Sequence, residues 1–173
     1  NISYMDAQVG KVLDALERSG VAERTLVVFV GDHGYHIGEH MQWGKTSNFE
    51  LDARAPLMIA PPRNAPPGLY QTGMACAEPV SLIDLYQTLI DFCGLPSREG
   101  LSGRSLAPFM KNPKLATGRV VLTTFDNGNH SVTGARWHYL RYADGAEELY
   151  DRESDPNEWT NLAADPKAKG ALQ

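Results

Sequence analysis

Three residues in one short stretch carry side chains suited to holding an anion against a metal ion. Asp32 and His33 stand side by side between Gly31 and Gly34, and Lys45 follows in the same segment. A carboxylate and an imidazole on adjacent residues, with glycines that free the backbone on either side, can reach one ion together. Lys45 is a compact charge with three donors, which suits a sulfate or phosphate oxygen. Each residue also has a plainer reading: an Asp caps a helix, a His closes a turn, and most lysines are simply solvated. Gly38-Glu39-His40 and Trp43-Gly44 fill the rest of the segment. Trp43 either lines a pocket or packs the loop, and His40 either faces a ligand or serves as a structural hydrogen bonder. Thr46 and Ser47 are loop hydroxyls with no activating base beside them, so no nucleophile is visible here.

These residues need a scaffold, and the flanking pattern describes one. Residues 3–19 predict a helix, with Met5, Val9, Val12, Leu13 and Leu16 on one stripe and Gly20 as its stop. Residues 25–30 (TLVVFV) form a continuously apolar, β-branched run that suits a strand buried on both faces of a parallel sheet. The candidate residues follow at its carboxyl end, where open α/β sheets bind ligands. Residues 31–52 read as an irregular functional loop, and 56–60 (PLMIA) as a second buried strand. Residues 63–73 read as a surface loop.

Ser81 opens a second helix with Asp84 as a short-armed capping-box partner, and Gly94 and Pro96 end it. Near Leu115 the character changes. Residues 119–125 and 136–142 read as strands, and Asp144-Gly145 turns the chain into a hairpin partner at 147–150. The first two thirds therefore predict parallel pairing and the last third antiparallel pairing. A division follows, with an α/β part over 1–115 and a small antiparallel part over 116–173.

The 173 residues suffice for one domain with a core, or for a large piece of a bigger protein. A net charge of −5 with no basic block argues against a nucleic-acid partner. No apolar run approaches the ~20 residues of a membrane span. The chain enters a helical pattern almost at Asn1, which reads as a cut through a longer polypeptide. Cys76 and Cys93 are free to pair, but the simpler reading makes both small buried hydrophobes.

The motifs, taken in order, resemble the formylglycine-dependent sulfatases of the alkaline phosphatase-like superfamily. The matching pieces begin with Asp6 to Gly10 (DAQVG), then Asp32-His33-Gly34, Ile37-Gly38-Glu39-His40, and Trp43-Gly44-Lys45. Arg54-Ala55-Pro56-Leu57, SGRSLAPFM at 102–110 and LYDRESDPNEWTNLA at 149–163 complete the series. Ser47-Asn48-Phe49-Glu50 looks most like the iduronate-2-sulfatase branch. Choline sulfatases and phosphonate monoester hydrolases share the DHG step and the lysine after it.

The resemblance implies an α/β fold: the C-terminal part of a large mixed sheet with flanking helices, plus a small antiparallel sheet. It implies hydrolysis of sulfate esters of a sulfated sugar by a formylglycine made upstream of this chain. Neither cysteine here is followed by the x-Pro-x-Arg that such a nucleophile needs, so this chain alone is expected to be inactive. Carried over residue by residue, Asp32 and His33 become metal ligands. Lys45 becomes the catalytic and substrate-binding cation, with Trp43 and His40 as further substrate contacts. Calcium is the expected metal; the nitrogen of His33 also suits manganese. The partners implied are a saccharide sulfate ester and the N-terminal part of the same enzyme, in an extracytoplasmic compartment. Residues 127–133 are a candidate substrate-choosing loop. Two alternatives remain: a phosphonate or phosphate ester hydrolase of the same fold, and a non-catalytic remnant module.

Overall fold

A computed structural model describes residues 1–172. Helix α1 spans Ile2–Arg18, and the chain leaves it through Gly20 at a positive φ of 72°. None of its residues is buried; Ile2, Tyr4, Met5, Val12 and Leu13 are all exposed. Among the described residues, no helix is long and apolar enough to cross a membrane.

Strand β1 (Val27–Val30) pairs with β4 (Leu57–Ala60), and between them lie β2 (His36–Ile37), β3 (Trp43–Gly44) and helix α2 (Glu50–Ala53). The β1–β4 pairing is antiparallel, with Val27 opposite Ala60 and Val30 opposite Leu57. This corrects the parallel expectation for the first two thirds. A parallel neighbour needs a crossover to the far end of the sheet. Here the chain comes back at the end it left, and the Gly31 amide donates to the Pro56 carbonyl at 2.9 Å. The run is not buried on both faces either: β1 is half-buried and Val30 is exposed. The intervening segment is more ordered than expected, because β2 and β3 form a small antiparallel hairpin within it.

Helix α3 spans Asp84–Cys93 and stops at Gly94, in the left-handed conformation at φ 60°. The Ser81 amide donates to the Asp84 carboxylate at 2.8 Å, which is the reach-back of a capping box, although the helix itself starts at Asp84. Buried Asp84 also takes the Arg104 amide and the Arg119 guanidinium, each at 2.8 Å. The SGRSL motif is thus a clasp on the start of α3. Gly103 lies so close that a Cβ there would sit 2.1 Å from the Ile83 carbonyl oxygen. Helix α4 (Ala107–Lys111) follows the clasp. Cys76 and Cys93 are both free and exposed, which overturns the buried reading. Cys93 ends an amphipathic helix, and Cys76 lies in a loop that lines a cleft.

The last part is a four-stranded antiparallel sheet in consecutive order: β5 (Val121–Thr124), β6 (His130–Thr133), β7 (Trp137–Arg141) and β8 (Glu147–Asp151). Residues 130–133 therefore belong to a strand rather than to the expected loop over 127–133. The run HSVT, with β-branched Val132 and Thr133, pairs with both neighbours, His130 to Thr124 and to Arg141. The core gathers at this end, where Leu140 and Leu149 are fully buried. Phe49, from the start of α2, packs against Leu140 and Tyr150.

Candidate functional site

The β1–β4 return sets the geometry of the site. β1 ends and β4 begins at the same edge, so everything from Asp32 to Ala55 projects from one place. Gly34 is the first fixed point. Its amide donates to the Asp52 carbonyl at 2.8 Å, and a Cβ on it would sit 1.8 Å from the Leu51 carbonyl oxygen. Any side chain there would push the segment carrying Asp32 and His33 off the start of α2.

With the backbone held, His33 is oriented by its neighbour. Its Nδ1 lies 2.8 Å from the Gly34 carbonyl oxygen, which can only accept, so Nδ1 carries the proton. Nε2 then keeps its lone pair. It lies 3.3 Å from Asp32 Oδ2 and accepts a hydrogen bond from Lys45 Nζ. Asp32 and Lys45 are exposed and His33 half-buried. The three line one open cleft of ≈ 800 Å³, whose far wall includes Ser81 and β5 through Thr124. One carboxylate oxygen and one imidazole nitrogen facing the same point make a donor set that fits a divalent cation. They supply only part of a coordination shell.

Trp43 and His40 are not brought to this point, and neither lines the cleft. Trp43 is 78% exposed on β3. His40 adopts a positive φ of 51° and stacks between Phe49 and Trp159, with ring centroids at 4.1 and 4.8 Å. Its Nε2 meets the Asn157 carbonyl at 3.0 Å, which ties the loop to the C-terminal segment. Of residues 127–133, only Thr133 lines the cleft.

Two groups escaped the sequence reading. Asp52, nearly buried, accepts from the Thr46 amide (3.0 Å), the Ser47 amide (2.8 Å) and the Ser47 hydroxyl (2.7 Å). Its other oxygen lies 2.8 Å from Nδ1 of fully buried His36. Burial alone would raise its pKa, but the Ser47 hydroxyl, the Thr46 amide and His36 together hold it below the ordinary carboxylate value. No spacing rule marks it, because ELDA reads as any short helix. The second group is Glu50, His138 and Glu158, whose ligand-type atoms lie within 4.8 Å of one another. Each of these already has internal partners. Glu158 bonds His138 and takes the Glu50 amide at 2.9 Å, and Arg152 meets Glu50 at 2.8 Å. The cluster locks α2 onto the C-terminal sheet.

The same contacts explain the Ser47–Glu50 motif. Ser47 bonds Asp52, Asn48 is buried, Phe49 fills the core and Glu50 pairs with Arg152. These side chains are spent on packing, and only the Ser47 and Glu50 positions also border the cleft.

Comparison with known proteins gives a consistent result. The family model described as Sulfatase matches residues 1–95. A sulfatase of Formosa agariphila is 36% identical over 172 residues, covering 99% of this chain and 33% of that protein. A choline-sulfatase of Rhizobium meliloti is 38% identical, covering 96% of this chain and 32% of its own length. Arylsulfatase K of Bos taurus is 34% identical, with 92% and 31% covered. This chain thus spans about a third of the length of these curated relatives. Among solved structures, one described as a 2-O GAG sulfatase superposes with a TM-score of 0.81 at 29% identity, covering 97% of this chain and 38% of that one. The phosphonate monoester hydrolase of Agrobacterium radiobacter gives 0.84 at 28% identity, with 98% and 37% covered.

Proposed function

The chain belongs to the sulfatase family, and we propose that it is part of a sulfuric ester hydrolase acting on a sulfated sugar. The observation that carries this reading is the meeting of Asp32 Oδ2, His33 Nε2 and Lys45 Nζ at one point of an open cleft. Asp32 and His33 would hold a divalent metal, calcium or manganese, which supplies Lewis-acid polarisation of the sulfate oxygens. Lys45 donates to a sulfate oxygen or to the departing ester oxygen, where negative charge grows in the transition state. With metal bound at His33 Nε2, the lone pair to which Lys45 Nζ donates would be taken and the ammonium left free for the anion. The nucleophile, a formylglycine by family likeness, comes from outside these residues, as do the remaining metal ligands. By the same likeness the N-terminal part of the enzyme is the partner and the compartment is extracytoplasmic.

Within the family we favour an iduronate-2-sulfatase-like substrate, a sugar sulfated at the 2-position. The likeness to the structure described as a 2-O GAG sulfatase supports it. A second reading, a phosphonate ester hydrolase, draws on the nitrogen donor of His33 and on the likeness to the phosphonate monoester hydrolase. The division into 1–115 and 116–173 stays part of this reading, with the site on the first part and the lock on the second.

The complete enzyme should be assayed against a 2-O-sulfated uronic acid disaccharide, an aryl sulfate and an aryl phosphonate monoester. We expect kcat/KM on the sulfate esters to exceed that on the phosphonate by at least ~10-fold, the gap that ~1.4 kcal/mol of differential transition-state binding gives. A reversed order would replace the first reading with the second. Failure on all three would favour a remnant without chemistry.

A further inference from the structure

One buried carboxylate, that of Asp52, holds much of the candidate site in place. We infer that Asp52 is a positioning residue that fixes Lys45 relative to His33, so that its effect on turnover acts through Lys45.

The Asp52 carboxylate gathers donors from two separate stretches of chain, residues 46–47 and His36. Its Oδ2 takes the Thr46 amide at 3.0 Å, the Ser47 amide at 2.8 Å and the Ser47 hydroxyl at 2.7 Å, which closes the turn immediately after Lys45. Its Oδ1 meets His36 on β2, at 2.8 Å. β2 is paired to β3, with His36 opposite Gly44, the residue immediately before Lys45. Lys45 is therefore anchored on both sides by one side chain. The main chain of Asp52 holds the other half of the site, because its carbonyl takes the Gly34 amide at 2.8 Å. Asp52 does not line up with the reacting groups itself; its two oxygens are fully engaged and nearly buried.

Such a hub has a chemical logic. Lys45 is an exposed, long and flexible side chain, and catalysis by a cation depends on where its ammonium rests when charge develops. A turn fixed by two amides and a hydroxyl on one carboxylate limits that freedom at its base. An Asn at this position keeps the size but presents an amide N–H₂ where two oxygens now accept four donors. Some of those donors must then point at another donor.

The inference rests on the role proposed for Lys45, and the test separates the two. In the complete enzyme, kcat/KM on the preferred sulfate ester would be measured for Lys45→Ala, Asp52→Asn and the double variant. Metal content and thermal melting would be recorded for each. Lys45→Ala should lose ~100- to 1,000-fold, as for removal of a charge-stabilising donor. Asp52→Asn should lose ~10- to 100-fold with metal content retained, and less than ~3-fold in the Lys45→Ala background. Equal losses in both backgrounds, or no loss in the parent, would overturn the positioning role. If Lys45→Ala costs nothing, the role of Lys45 fails first and this inference with it. Should Asp52→Asn not yield folded protein, Ser47→Ala serves in the same cycle. It removes one hydroxyl donor and leaves both amide bonds, so a loss of ~3- to 10-fold confined to the parent background is expected. A loss of equal size in both backgrounds would again overturn the proposal.

Discussion

Two sheets of this molecule, the β1–β4 pair and the four strands β5 to β8, differ in how far each is finished. In β5–β8, consecutive strands pair in order, Leu140 and Leu149 are wholly buried, and Phe49 is drawn in from outside to complete the core. In β1–β4, two strands pair only with each other among the described residues. Val30 and Met58 are exposed, and the helix that precedes them buries nothing. A lone two-stranded sheet is marginal in water, and its open edges and apolar faces invite further pairing. The candidate chemistry sits on the unfinished sheet, while the finished one supplies the clamp, through Glu158, His138 and Arg152, that holds the loop in place. Most of the burial and the candidate chemistry thus lie in different regions, joined through that clamp.

The largest test of this contrast is to express the 173 residues alone. We expect no turnover of any sulfate ester above the uncatalysed rate, because two donors and a lysine lack a nucleophile and a complete metal shell. We also expect strong binding of a hydrophobic dye such as ANS, from the exposed α1, Val30 and Met58 surface. Measurable, saturable turnover by this chain would show that the unfinished region is not the limiting one.

A smaller effect separates the two regions directly. Leu140→Ala removes a fully buried side chain from the finished sheet and should cost ~2–5 kcal/mol in denaturant unfolding. Leu13→Ala, on the exposed stripe of α1, should cost under ~0.5 kcal/mol in the same 173-residue chain. In the complete enzyme the second cost should grow towards that of a core residue if the stripe is covered there. Equal costs for Leu13→Ala in both settings would mean that α1 stays uncovered, and would remove the contrast.

The sequence showed the periodic parts well, for a physical reason. The stripe of α1, the reach-back of Asp84 to Ser81 and the Asp144-Gly145 turn are local signals, set by residues within a few positions of each other. Asp32, His33 and Lys45 were legible because their types and order matched a family pattern, and the fold then brought their polar atoms together. What stayed hidden was non-local. The direction of β4 depends on which end of β1 the chain returns to, and no periodicity encodes that. The sequence left His40 open between a substrate contact and a structural hydrogen bonder, and only the fold places it between Phe49 and Trp159. Asp52 gave no signal at all, since its donors lie on Thr46, Ser47 and His36 and converge only after the hairpin forms.

The smallest effect tests how the finished sheet is closed at its edge. Arg136 bonds the Asp151 carboxylate at 2.7 Å, at the end of β8. That guanidinium, helped by the Glu153 amide and Ser154 and opposed by burial, lowers the Asp151 pKa from 3.8 to about 2. A carboxylate whose folded pKa is depressed adds stability that is fully present above its unfolded value and disappears as pH falls through the folded one. The contribution should therefore be intact by about pH 5 and mostly lost by about pH 2. Urea unfolding of the parent and of Arg136→Ala at several pH values from 2 to 6 would follow it. The parent should be modestly more stable at pH 6, and the difference should shrink as the pH drops, because both proteins then carry a protonated Asp151. Arg136 is half-exposed and also lies over Trp137, 4.8 Å from the ring centroid, so a residual difference from packing should survive at pH 2. A difference of the same size at both ends of the range would assign the whole effect to that packing. The sheet would then be closed at this edge by the Trp137 contact rather than by charge.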